Sequence, residues 1–386
     1  MVEFEYYNPA KIIFGEDSLR RLSDLLRENK VRSLLLIYSG DFIKDLGIYD
    51  VIQAVVRELD IRFIENKHVV PNPQIDLVRL LVDQGRGNQV DFILAVGGGS
   101  VIDTAKAVAI GIPYQGDVWD FYYQGISPKE VISIGVIATT ASSGSETSNA
   151  SIISNGEWKL GFEDDRIIPK FAIMNPNYTV DLPMYQTAVG ISDILAHLLE
   201  RYFSDTENSN VTDYLIEGAI KALLLNVSRL LNDLHDVNAR SEIQWLASVA
   251  HNNFLDAERV ADWGSHRIEH ELSGQYNIVH GEGMAVVLLA WLRYAAERKP
   301  WRPALLATRV FNVDAHSYSE KERTYILIKK LKALYESLGL KTTLTELGID
   351  STQFETMSKR ATRNGNVGHY IFLDARSIQK ILQLAL

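Results

Sequence analysis

The chain has 386 residues, more than one hydrophobic core usually accommodates, so two domains are the starting expectation. Hydrophobic residues make up 46% and charged residues 23%, and the net charge is −10. That balance describes an ordinary globular protein and argues against nucleic acid or an anionic membrane as partner, since both require clustered Lys and Arg. With no cysteine there is no disulfide, thiolate zinc site or thiol nucleophile, so any metal has to be held by oxygen and imidazole nitrogen. The opening MVEFEYYNPA has no basic stretch followed by an apolar run, and the longest apolar stretch (residues 284–292) is about half a bilayer span. A cytoplasmic location is therefore expected.

Taken in chain order, short apolar runs at 33–38, 61–64, 92–96, 131–139 and 171–174 read as strands. Amphipathic segments at 49–58 and 75–84 lie between the early ones. Continuous apolar strands alternating with helices predict a parallel sheet covered on both faces. After Asp181-Leu182-Pro183 the period changes: Ile191, Leu195, Leu198, Leu199 and Tyr202 form a helical stripe, and almost no strand signal follows. The expected organisation is an α/β domain over 1–183 and an all-helical domain over 184–386, with a ligand in the cleft between them.

Ala95-Val96-Gly97-Gly98-Gly99-Ser100 leads into a predicted helix carrying Asp103 and Lys106. The glycines let backbone N–H groups approach a phosphate, and the helix N-terminus adds partial positive charge. Ser100 is placed to cap the helix or bond the phosphate, and Asp103 fits a capping box. The segment is neither a Walker A motif nor G-x-G-x-x-G, and alone it also fits a ligand-free turn. A second loop, Thr139 to Thr147, packs six hydroxyl side chains into nine residues. It reads as a lining for polar cofactor groups or, in isolation, as a solvated loop. Both loops leave the carboxyl edge of a parallel sheet, where a dinucleotide would bind.

Four of the nine histidines fall between 251 and 280. Asp193 and His197 stand four apart on a predicted helix, as do His266 and His270, so each pair shares a face about one turn apart. On one unbroken helix His266 and His280 would be about 21 Å apart, so the chain has to turn back between them. Gly274, Asn277 and Gly281 are the expected breaking residues, with residues 276–279 as a loop delivering His280. One carboxylate with up to three imidazoles suits Fe²⁺ or Zn²⁺ better than Mg²⁺ or Ca²⁺. The remaining histidines (His68, His235, His251, His316, His369) are read as ordinary pairing residues.

With these motifs in hand, the chain resembles the iron-containing (group III) alcohol dehydrogenases, in particular their butanol-dehydrogenase-like branch. The resemblance runs end to end. It takes in Tyr7 to Gly15, which looks like the branch's N-terminal strand, then Val70-Pro71-Asn72-Pro73, Gly97 to Asp103, Gly116 to Asp120 and Thr139 to Glu146. The Asp193/His197 helix and the stretch from Asp262 to Gly283 complete it.

The resemblance implies a dehydroquinate synthase-like fold, an N-terminal α/β nucleotide-binding domain followed by a helical metal-binding domain, in a homodimer. It implies Fe²⁺ or Zn²⁺ on Asp193, His197, His266 and His280. Gly98, Gly99 and Ser100 fall to the pyrophosphate, Thr139, Thr140 and Thr147 to the nicotinamide side, and Asn72 and Lys159 near the cofactor. After the first predicted strand, Tyr38-Ser39-Gly40-Asp41 bears on NAD against NADP: Asp41 would repel a 2′-phosphate and Ser39 would tolerate one. The implied reaction is hydride transfer between NAD or NADP and an alcohol or aldehyde, the ion polarising the substrate oxygen and His270 relaying a proton or orienting substrate. A lyase or polyol enzyme of the same fold would need a basic pocket, and Glu200, Glu269 and Glu271 against Arg201 and Arg267 do not offer one. A degenerate binding protein is disfavoured by the intact motifs.

Overall fold

The computed structural model describes residues 2–386. Within it the chain forms two compact units: residues 7–182 with 235–252, and residues 2–6 with 183–234 and 253–386.

The first unit is built on a six-stranded, all-parallel sheet. Its strands are β1 (Lys11–Phe14), β2 (Ser33–Tyr38), β3 (Arg62–Asn66), β4 (Phe92–Gly97), β5 (Ser133–Ala138) and β8 (Phe171–Met174), in the order β1-β8-β5-β4-β2-β3. Every residue of β2 and β4 is buried, because the period-two pleat sends alternate side chains into two different cores. Leu35, Ile37, Ile93 and Ala95 pack beneath the helices Ile75–Gly87 and Gly99–Gly111. Leu34, Leu36, Phe92 and Leu94 pack beneath Leu22–Glu28 and Ile48–Glu58. The continuous apolar runs are thus what a doubly covered parallel sheet requires.

A two-stranded antiparallel hairpin, β6 (Ala150–Asn155) with β7 (Trp158–Glu163), was not foreseen. The helix Val237–His251 also belongs with this unit and not with the helical one. It is tied there by Trp245 edge-on to Phe14 and by Gln244 donating to the Ala138 carbonyl.

The second unit is helical. Among the described residues its extended pairing is a single isolated bridge, Val367 with Leu373. The helices that matter for the site are Met184–Tyr202, Gly264–Tyr276 and His280–Arg298. The last is buried along nearly its whole length, so it is this unit's central helix. Among the described residues no helix is long and apolar enough to cross a membrane.

Candidate metal centre and phosphate loop

Three helices of this unit converge on one polar cluster. Asp193, His197 and Glu200 lie along one face of Met184–Tyr202, since steps of four and three residues return to the same side. His266, Glu269 and His270 come from Gly264–Tyr276. That helix runs straight through Gly274 and ends where Asn277 takes a left-handed conformation, φ 52°. Three residues later His280 opens the next helix, so the turn-back was correctly expected but two of its proposed breakers are not breakers. Gly281 is helical and serves a close approach: a Cβ there would lie 2.0 Å from the Val189 carbonyl oxygen.

One candidate ligand atom each from Asp193, His266 and His280 lie within 4.8 Å of one another. His280 Nε2 is 3.5 Å and His197 Nε2 3.8 Å from Asp193 Oδ1. His197 stands outside the tightest trio and stacks on His266, ring centroids 4.8 Å apart and nearly parallel. His266 Nε2 is buried and has no hydrogen-bond partner, an arrangement that costs free energy unless something else occupies the position. Its other nitrogen, Nδ1, is hydrogen-bonded to the Glu200 carboxylate, and His280 Nδ1 to that of Glu269. A carboxylate and imidazoles offering Nε2 in one buried spot fit a divalent ion of the iron or zinc type.

Asp193, His197 and His266 are buried, whereas His270 and His280 are partly exposed, so the cluster has a closed floor and an open side. His270 lies on that side, its ring 6.4 Å from His266 and 5.6 Å from His280. Trp263 lies beside the cluster, its ring 5.2 Å from that of His266, and the Arg201 guanidinium stands 4.5 Å from the Trp263 ring centroid. Arg201 itself pairs with Asp256, and Arg267 with Glu271. Glu200 and Glu269 were seen in the sequence only as acidic neighbours. The signal was present: Glu200 continues the Asp193/His197 face, and Glu269 is three residues from His266.

In the α/β unit, β4 ends in the glycine turn and the helix Gly99–Gly111 begins at once, with Gly98 as its N-cap. A shallow recess lies there, lined by Gly97, Gly98, Gly99, Thr140, Ser142, Ser143 and Glu146 among others. A Cβ on Gly98 would lie 2.5 Å from Thr140 Oγ1, and one on Gly99 2.5 Å from Ser143 Oγ, so any side chain at either position would fill the cradle. The strand order reverses beside this point, β2 leading outward to β3 and β4 leading the other way to β5. It is therefore the switch point at which open α/β sheets bind ligands. Tyr38 is paired in register with Val96, which brings Ser39 and Asp41 off the same edge one strand away.

One expected role changes. No side chain caps the helix, so the Ser100/Asp103 capping box does not form. Asp103 instead accepts from Ser145 Oγ (2.6 Å) and the Ile152 amide (3.1 Å). Burial raises its carboxyl above the usual range, opposed by the charge of Lys106. Thr139 and Thr147 are buried, and Thr147 Oγ1 bonds back to the Gly144 carbonyl. Of the three threonines, Thr140 is the one that lines the pocket. Asn72 is buried with φ 53°, and Lys159 is buried on β7. Asp41 is exposed and paired to Lys44 (2.9 Å) and Lys67 (3.0 Å), which together hold its carboxyl below the usual range.

The hydroxyl loop is not a solvated one. Lys106, fully buried, donates to the carbonyls of Ser145 (2.7 Å), Ser148 (2.8 Å) and Ala150 (2.7 Å), and burial pulls its ammonium down to about 8. From the helix Val237–His251, Ser248 reaches Glu146, and His251 Nδ1 lies 2.6 Å from the Ser143 carbonyl. Lys106 and His251 had been given no part in this loop.

The family model described as iron-containing alcohol dehydrogenase matches residues 9–176, and that of the family's C-terminal region matches residues 187–386. A probable NADH-dependent butanol dehydrogenase of Bacillus subtilis is 34% identical over the full length of both chains. NADH-dependent butanol dehydrogenase A of Clostridium acetobutylicum is also 34% identical, over 99% of each. Among solved structures, NADH-dependent butanol dehydrogenase A of Thermotoga maritima superposes with a TM-score of 0.94 at 29% identity, covering 99% of this chain and 98% of that one. A match over both halves of the chain, with the Asp/His cluster in one and the glycine turn in the other, settles the relationship: the chain belongs to the iron-containing alcohol dehydrogenase family, in its butanol dehydrogenase-like branch.

Proposed function

We propose that the chain is a metal-dependent oxidoreductase passing a hydride between NAD(P)(H) and a short- or medium-chain alcohol or aldehyde. The observation that carries this reading is the convergence of Asp193, His266 and His280 around the buried, unpartnered Nε2 of His266. Asp193, His197, His266 and His280 would hold one divalent ion, Fe²⁺ or Zn²⁺. When bound, the ion supplies Lewis-acid polarisation of the substrate oxygen and the dinucleotide supplies the hydride-transferring carbon. The chain's own residues do the rest. The amides at the start of Gly99–Gly111 and the Thr140 and Ser143 hydroxyls receive the pyrophosphate, with Asn72 and Lys159 assigned near the dinucleotide. His270, on the open side of the cluster, holds or moves the proton of the substrate hydroxyl.

The curated butanol dehydrogenase relatives named above are described as NADH-dependent, and NAD is the first reading here. The pairing of Asp41 with two lysines favours NADP as the second, because it offsets the repulsion a 2′-phosphate would otherwise meet. Residues 1–183 are taken as the dinucleotide half and 184–386 as the metal half, except that 235–252 go with the first and the residues before Tyr7 with the second. A homodimer is inferred from the family resemblance and is supported by β1, an edge strand beside the exposed Tyr7. A cytoplasmic location is inferred from the use of a soluble nicotinamide coenzyme.

Metal analysis of the purified protein, then butanal reduction followed by NADH and NADPH absorbance, tests the reading. One metal per chain and turnover are expected, with both lost in His266→Ala. Undiminished turnover by the metal-stripped protein would overturn it.

A further inference from the structure

The four-ligand reading leaves unexplained why two fully buried glutamates sit behind the cluster. Glu200 and Glu269 are 1% and 0% exposed. A carboxylate can only accept, so each fixes a proton on the Nδ1 it touches and leaves the Nε2 of that ring as the lone-pair nitrogen. We infer that Glu200 and Glu269 are positioning residues that set the tautomer, the ring orientation and the electron-donating strength of His266 and His280 toward a divalent ion. The inference rests on the metal reading above and adds the groups that make two of its imidazoles competent.

Each carboxylate is itself held. Glu200 accepts the Ser265 amide (2.7 Å) on one oxygen and the His266 amide (3.1 Å) on the other. It thereby caps the N-terminus of Gly264–Tyr276 and aims the first imidazole on that helix in a single contact. Glu269 takes Ser273 Oγ on one oxygen and His280 on the other. It joins one helix to the first residue of the next, across the turn at Asn277. With Asp193 the cluster gathers three carboxylates around its imidazoles, a charge that a divalent cation compensates better than a monovalent one.

The two glutamates differ in how they can be tested. Glutamine at 200 would turn an amide NH₂ toward backbone N–H donors, a clash of donors that endangers the fold. Glutamine at 269 is satisfiable: its oxygen accepts from His280 while its NH₂ donates to Ser273 Oγ. Glu269→Gln therefore removes the charge alone. Its dissociation constant for Zn²⁺ or Co²⁺, measured against a competing chelator, is expected to rise about 10- to 100-fold. The thermal midpoint of the metal-free form should stay at the wild-type value. The visible bands of the Co²⁺-loaded protein should shift in Glu269→Gln and not in Lys321→Gln, a surface control. Glu269→Ala, which removes the hold as well, should bind more weakly still.

His280→Ala is run beside them and is expected to lose stoichiometric metal. If it does while Glu269→Gln binds as the wild type does and its spectrum is unchanged, the positioning role is overturned and the metal site stands. If His280→Ala keeps its metal, both readings fall.

Discussion

A Cβ on Gly283 would lie 2.6 Å from Oε1 of Glu269 and 2.9 Å from its Cγ. The glycine is one turn beyond His280 on the same helix, so its missing side chain is the space in which Glu269 stands to hold that histidine. Gly283→Ala is expected to push the carboxylate off His280 and to destabilise the packed helix pair by about 1–3 kcal/mol. Metal content after dialysis should fall together with the unfolding midpoint. A variant that keeps full metal would show that Glu269 tolerates the displacement.

At the other site, Gly98→Ala puts a methyl group into the phosphate cradle without straining the backbone, since φ is −94° there. Dinucleotide affinity, read by fluorescence titration, should weaken at least about tenfold, the equivalent of 1.4 kcal/mol. Metal stoichiometry should not change. Unaltered NADH binding would remove this pocket from the cofactor site.

Asp262 gives a pH signature. Its Oδ1 accepts the amides of His369, Tyr370 and Ile371, and burial, with the charge of Glu200 adding to it, pushes the carboxyl up to about 7. In the unfolded chain the same group titrates near about 4. Between those values the folded state carries the extra proton. Its stabilising contribution is therefore full below the unfolded value and lost as pH rises through about 7. Metal-free wild-type protein should lose thermal midpoint from pH 5 to pH 8, and Asp262→Asn should lose less. Equal slopes would mean that Asp262 titrates normally.

Much of this was legible in the residues. The β2 and β4 runs are apolar on both faces because both faces are covered, and the pairs Asp193/His197 and His266/His270 each stand four apart on a helix. The hairpin Ala150–Asn155 with Trp158–Glu163 was not legible, because its alternation is broken by Ser151, Ser154, Gly156 and Gly161. Nor was the attachment of Val237–His251 to the α/β unit, since an amphipathic helix records that it packs and not what it packs on. Asp103 was misread because its i+3 spacing from Ser100 matches a cap, while its true partners, Ser145 and Ile152, are more than forty positions away. Gly281 was misread as a breaker because a glycine that admits a neighbouring backbone looks, in sequence, like one that bends its own.

The ammonium of Lys106 has a consequence for redesign. It issues from the helix that starts at the glycine turn and ends on three carbonyls of the loop opposite, so the two walls of the phosphate pocket share one fastening. Libraries meant to retune coenzyme choice by varying residues 139–150 alone would select against themselves, discarding sequences that fail to seat Lys106 whatever coenzyme they favour. Grafts that move Gly97–Gly111 and 139–150 together, with Asp103 and Lys106 kept as a pair, carry the fastening with them.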